Sequence, residues 1–166
     1  MALGFSGLIL RTLVYATAFV GFLLIYLPAR VLAAAGIQRP ASIGPAQIAG
    51  ILIGSLGAAL TVWCVISFIS IGRGTPAPFD APRRLVVCGP YRFVRNPMYT
   101  GAATAMAGAA LFYGSLGLLA YIAAFLLAFH LFVILYEEPT LRRKFGAPYE
   151  DYCHHVRRWW PHLHSA

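Results

Sequence analysis

Residues 97–136 read PMYTGAATAMAGAALF, then YGS, then LGLLAYIAAFLLAFHLFVILY. The first run, Pro97 to Phe112, and the second, Leu116 to Tyr136, are apolar enough to cross hydrocarbon, and Tyr113-Gly114-Ser115 allows a tight turn between them. An antiparallel hairpin of two membrane helices is predicted. Its two open ends carry polar sequence: Gly89-Pro90-Tyr91-Arg92-Phe93-Val94-Arg95-Asn96 leads into the first run, and Glu137-Glu138-Pro139 follows the second. The hairpin therefore brings a basic, aromatic motif beside an acidic one at one end of a membrane domain.

The rest of the chain agrees with that setting. Of 166 residues 60% are hydrophobic and 11% charged, with a mean hydropathy of +0.72, too little polar surface for a water-soluble globule. The fold class is all-α and polytopic, about four transmembrane helices with an amphipathic tail helix. Thr12 to about Ala29 gives the first crossing, and Ala46 to Ile71 the second, after a loop marked by Arg39-Pro40 and Gly44-Pro45. A cleaved signal peptide fits the first segment poorly, because Pro28 and Arg30 interrupt it and no Lys or Arg precedes Arg11. Gly50, Gly54 and Gly57 form a small-residue stripe that lets a neighbouring helix approach closely, which predicts a central position for the second helix. Residues 1–166 make a single membrane domain, with two N-terminal helices in 1–71 and a functional core in 72–166.

Gly72 to Arg95 differs in kind, with Pro76, Pro78, Pro82, Pro90 and five arginines, and reads as a functional loop. Its Gly72-Arg73-Gly74 follows no strand and lacks a third glycine, so no dinucleotide fold is expected. The net charge of +8 is spread along the flanks of apolar runs rather than over one continuous face, which argues against nucleic acid. Cys64, Cys88 and Cys153 have neither a disulfide pattern nor metal-ligand spacing, and no metal site is expected. Four crossings place Arg73, Arg83, Arg84, Arg92, Arg95, Arg142, Arg143, Lys144, Arg157 and Arg158 on one side and Arg30 and Arg39 on the other. The positive-inside rule makes the motif side cytoplasmic, in a bacterial-type inner membrane.

At that end the chemistry becomes specific. Asn96 suits an N-cap and Pro97 the first helical position, so the third helix would begin there with its free N–H groups facing an anionic ligand. The fourth helix is longer by roughly 8 Å, leaving a step for a ligand. Glu137 and Glu138, at the predicted C-terminus of that helix, oppose its dipole and need a compensating partner; Arg92, Arg95 and Arg142 are candidates. Side chains of adjacent residues diverge by about 100°, so one glutamate can face a pocket while the other pairs with arginine. His130, two turns before Glu137, is an intramembrane histidine and a candidate for the same site. Beyond Pro139 the helical spacing of Leu141, Phe145, Tyr149, Tyr152, Val156 and Trp159 predicts a tail helix, broken at Gly146-Ala147-Pro148. Trp159 and Trp160 read as interfacial anchors.

These residues together resemble the membrane-embedded methyltransferases that include isoprenylcysteine carboxyl methyltransferase and the phospholipid N-methyltransferases. The resemblance covers about the last 95 residues. It rests on Gly89-Pro90-Tyr91-Arg92, Val94-Arg95-Asn96-Pro97-Met98-Tyr99 with Gly101, Glu137-Glu138 with Leu141, Phe145 and Gly146, and Tyr149, Tyr152, Val156, Arg158, Trp159 and Pro161. It implies S-adenosylmethionine as cofactor and a lipid-like, membrane-borne methyl acceptor. It also implies cofactor contacts from Tyr91, Arg92, Arg95, Asn96, Pro97, Tyr99, Gly101, Glu137 and Glu138. Glu137, Glu138 or His130 would serve as proton acceptor for an amine, and Arg73, Phe79 and Arg158 lie toward the acceptor. Asn96 stands where the isoprenylcysteine enzymes usually carry histidine, and looks more like the phospholipid enzymes. Two other readings are an NADPH-dependent lipid reductase of related fold and a non-enzymatic membrane scaffold or transporter.

Overall fold

The computed structural model describes residues 14, 17–72 and 84–161. It consists of α1 (Thr17–Ala34), α2 (Pro45–Gly72), α3 (Pro97–Tyr113), α4 (Leu116–Phe145) and α5 (Ala147–His155), with no strand among the described residues. Three of these helices, α1, α2 and α4, are long and apolar enough to cross a membrane. The 17 residues of α3 extend about 26 Å at the standard rise, alongside the other helices. Large leucines such as Leu56, Leu116 and Leu135 point outward, as expected where the surroundings are hydrocarbon.

The central helix is α3, not α2. The second helix was expected there because of its glycines; those glycines do make a close contact, but on one face only. Gly50, Gly54 and Gly57 of α2 lie against Gly101, Ala105 and Gly108 of α3, with the two helices antiparallel. A Cβ at Gly57 would stand 2.6 Å from the carbonyl oxygen of Gly101, and one at Gly50 2.7 Å from that of Gly108. No side chain fits between these backbones. At the far end Gln47 locks the pair: its Oε1 accepts from the Gly44 N–H and its Nε2 donates to the Phe112 carbonyl.

The other face of α3 builds the core. Ala102, Ala103, Met106 and Ala110 pack on Leu118, Ile122 and Phe125 of α4, and Leu23, Leu24, Val31 and Leu32 of α1 close over them. The turn between α3 and α4 is held by Gly114 at φ 60, a conformation that favours glycine, and by Ser115, whose Oγ accepts from the Leu118 N–H. Tyr121 donates its hydroxyl proton to the Leu23 carbonyl and ties α1 to α4.

Two helix ends differ from expectation, for one physical reason. The first helix continues past Pro28 to Ala34, and α4 continues past Glu137-Glu138-Pro139 to Phe145. Proline has no N–H for the carbonyl four residues back, and its ring crowds that carbonyl. Both prolines follow a widened π-helical turn, Gly21–Tyr26 before Pro28 and Val133–Glu137 before Pro139, which makes room for the ring without ending the helix. Glu137 and Glu138 are thus mid-helix, and the dipole penalty expected of a C-terminal position does not apply. The tail helix is also shorter than its spacing suggested: α5 stops at His155, and the chain leaves it extended at Val156. Thr12, Arg73, Phe79 and the prolines between Gly74 and Arg83 lie outside the described residues.

If the α2–α3 contact sets the helix spacing, adding a side chain there should force the pair apart. Gly57→Leu and Gly108→Val are each expected to destabilise the protein by about 1–3 kcal/mol or more. The same change at Gly36, whose neighbourhood is open, cannot act by overpacking. Thermal unfolding in detergent checks this.

Candidate functional site

The motif loop is seated before α3 begins. Gly89–Arg92 forms one tight 3-10 turn, with Pro90 and Tyr91 buried. Tyr91 packs on Cys64 and Phe68 of α2, its ring 5.3 Å from that of Phe68 in an edge-on contact. Tyr152 of α5 donates its hydroxyl to the Tyr91 carbonyl at 2.6 Å, so the loop is gripped from both sides. That grip delivers Arg95 and Asn96 to the start of α3.

Glu138 is the electrostatic centre. Only 6% of it is exposed, and both its oxygens are engaged: Arg158 Nε donates to Oε1 at 2.7 Å and Arg158 Nη2 to Oε2 at 2.9 Å. Arg95 Nη1 stands 3.1 Å from Oε1 as a second cation, and also 2.7 Å from Cys153 Sγ. The hydrogen bonds to Glu138 hold the Arg158 guanidinium above its ordinary pKa, so the pair stays ionised. The bond geometry is fork to fork, the arrangement for which guanidinium and carboxylate are matched.

Glu137 is treated differently. Its only polar partner among the described residues is the Tyr99 hydroxyl, which donates to Oε2 at 3.0 Å. No cation among the described residues forms an ion pair with it. Tyr99 is buried and its ring stacks on Phe129 at 4.6 Å, with the Trp159 ring 6.5 Å away. Tyr91 also faces this region, and its phenol is pushed well above the ordinary range by burial first, then by the Cys64 thiol and the Glu137 carboxylate. The Tyr91 hydroxyl and the Arg95 Nε are buried and have no hydrogen-bond partner among the described residues. The first lies near Glu137 and the second belongs to the guanidinium that pairs with Glu138, so each is a polar atom still open to a partner.

The segment after α5 crosses this site as a strap. The Arg95 N–H donates to the Arg157 carbonyl at 2.9 Å, Asn96 Nδ2 to the Arg158 carbonyl at 3.3 Å, and Trp159 Nε1 to His130 Nδ1 at 3.1 Å. Because the indole N–H is only a donor, a neutral His130 in this bond carries its proton on Nε2. Asn96 precedes Pro97 as expected but makes no side-chain cap; its Nδ2 donates to the strap instead.

Of the residues expected at the site, the structure gathers Tyr91, Arg95, Asn96, Pro97, Tyr99, His130, Glu137, Glu138 and Arg158 at one end of the bundle. Arg158, expected toward the acceptor, is occupied by Glu138. Arg92 is exposed, with its guanidinium 5.1 Å above the Phe93 ring, and Gly101 lies in the α2–α3 contact. Arg73 and Phe79 lie outside the described residues. Trp159, Cys153, Tyr152 and Phe129 join the site without having been singled out for it. Trp159 read as an anchor, a role the 77% exposed Trp160 fits instead.

The family model described as phospholipid methyltransferase matches residues 45–148. The chain belongs to the phospholipid methyltransferase family. No curated protein and no solved structure matches it significantly. The region shared with the phospholipid methyltransferases runs from the start of α2 into α5 and holds both motifs, while the strap lies beyond it.

Removing one member of the Glu138 cluster exposes its net contribution. Arg158→Ala deletes two charge-assisted bonds and leaves Arg95, with an expected loss of about 1.5–3 kcal/mol. Combining it with Arg95→Ala strands a buried carboxylate, and the double variant should lose more than the sum unless Glu138→Gln is added. Denaturant unfolding of the four variants measures this coupling.

Proposed function

We propose that the protein transfers a methyl group from S-adenosylmethionine to an amine nitrogen on a lipid-like acceptor in its own membrane. The observation that carries this is the unequal state of the paired glutamates, Glu138 doubly compensated and Glu137 left with Tyr99 alone. Family membership supports the reaction class.

The residues present fit the cofactor. Its carboxylate suits the unpartnered Arg95 Nε and the N–H groups of the first turn of α3, and its hydroxyls suit the orphaned Tyr91 hydroxyl. Tyr99, Phe129 and Trp159 offer aromatic faces to a sulfonium. When bound, S-adenosylmethionine supplies an electrophilic methyl group. An ammonium acceptor must lose a proton before its lone pair can attack, and the free Oε1 of Glu137 is placed to take it, with Tyr99 steadying Oε2. Glu138 holds Arg95 and Arg158 in position. His130, its Nδ1 engaged by Trp159, orients the indole rather than accepting the proton. Burial of the site among apolar helices excludes water and favours alignment.

The same reading makes α3 the fourth membrane crossing and puts the site on the cytoplasmic face of a bacterial-type inner membrane. Arg84, Arg92, Arg142, Arg143, Lys144 and Arg157 are all at the motif end, against Arg30 and Arg39 at the other. A cysteine introduced at Ser42 should be labelled by an impermeant thiol reagent from the periplasmic side, and one at Lys144 only after the membrane is opened.

Protein in lipid nanodiscs should bind labelled S-adenosylmethionine saturably and pass the label to a lipid fraction. Saturable NADPH binding with no binding of S-adenosylmethionine would reverse the reading. Glu137→Gln should lower kcat by about 10²–10⁴. Tyr99→Phe should lower it roughly tenfold, the worth of one hydrogen bond.

A further inference from the structure

The motif asparagine has a duty that neither a cap nor a ligand contact describes. Asn96 is 6% exposed, its amide nitrogen donates to the Arg158 carbonyl, and the neighbouring Arg95 N–H donates to the Arg157 carbonyl. Two consecutive residues of the motif loop thus hold two consecutive carbonyls of the strap. The side chain that springs from between those carbonyls is the guanidinium that forks onto Glu138. Trp159, one residue on, is fixed from α4 by His130. These bonds seat the strap with Arg158 over Glu138, and Asn96 is the motif side chain that hydrogen-bonds it among the described residues.

We infer that Asn96 is a positioning residue, which acts on the reaction by seating the strap so that Arg158 neutralises Glu138 and leaves Glu137 with Tyr99 as its partner among the described residues. The inference rests on the site reading above but concerns the ligand-free protein as well. It explains why an amide suits this position: the strap offers a carbonyl, and only a donor can meet it. Aspartate, of the same size, would set oxygen against oxygen. Histidine has an N–H and can still donate.

Hydrogen–deuterium exchange on the ligand-free protein is the primary test. Asn96→Asp should speed exchange of the amides whose bonds flank the strap, the Arg95 N–H held by the Arg157 carbonyl and the Val156 N–H at the strap's start, while leaving α3 and α4 unchanged, and Asn96→His should restore much of the protection. In turnover, Asn96→Asp should raise the cofactor Kd about tenfold, one lost charge-fixing contact. In an Arg158→Ala background the same change should have almost no further effect, because the guanidinium it positions is gone. Asn96→Ala replaces Asn96→Asp if the latter does not fold, since it also leaves the carbonyl unbonded. Unchanged exchange at the Arg95 and Val156 amides, or losses that multiply independently with Arg158→Ala, would overturn the inference. A wild-type protein that fails to bind S-adenosylmethionine would instead overturn the functional reading, with the exchange result still deciding the role of Asn96.

Discussion

Everything at the functional end is organised by the need to keep one buried carboxylate charged. An ion as enclosed as Glu138 costs several kcal/mol to desolvate unless its partners are close and well oriented. The partners come from two places far apart in the chain, Arg95 before α3 and Arg158 after α5, and the carboxylate itself sits on α4. One charge thus joins the motif loop, the hairpin and the strap. Its consequence lies next door: with Arg95 and Arg158 committed to Glu138, Glu137 is left with the Tyr99 hydroxyl as its hydrogen-bond partner among the described residues.

The local backbone makes that division possible. Pro139 cannot follow a regular helical turn, and the widened Val133–Glu137 turn that accommodates it changes the angle between Glu137 and the residues before it. The proline of the Glu-Glu-Pro sequence thus bears on where its own glutamates are placed. Glu137 meets Tyr99 on α3, while Glu138 turns toward the strap.

Much of this was legible in the chain. The apolar runs, the Gly114 turn and the glycine stripe of α2 gave the antiparallel helices and their close contact, because hydropathy and residue size act over short stretches. The meeting of the Arg95-Asn96 motif with Glu137-Glu138 followed from the hairpin. What could not be read was anything that depended on non-local partners. The glycines of α2 said that a helix approaches but not that α3 occupies the centre. The first helix was expected to stop near Ala29 and the fourth before Glu137-Glu138-Pro139, since the widened turns that carry them past their prolines are a backbone choice no residue type announces. The spacing to Trp159 looked helical, yet hydrogen bonds to Asn96 and His130 hold the segment there out of the helix. Arg158 looked free for an acceptor because its partner is twenty residues away, across a chain reversal.

The glycine contact between α2 and α3 has a further meaning for how such a protein can change. Because those backbones touch, the points where the chain leaves α2 and re-enters α3 are fixed in space, and the Arg84 N–H bonds to the Gly72 carbonyl as a neck between them. The spacing of α2 and the motif loop is thus set by backbone contacts that no side-chain rotation can relax, and a change at those glycines would reach Tyr91 through Cys64 and Phe68 of α2.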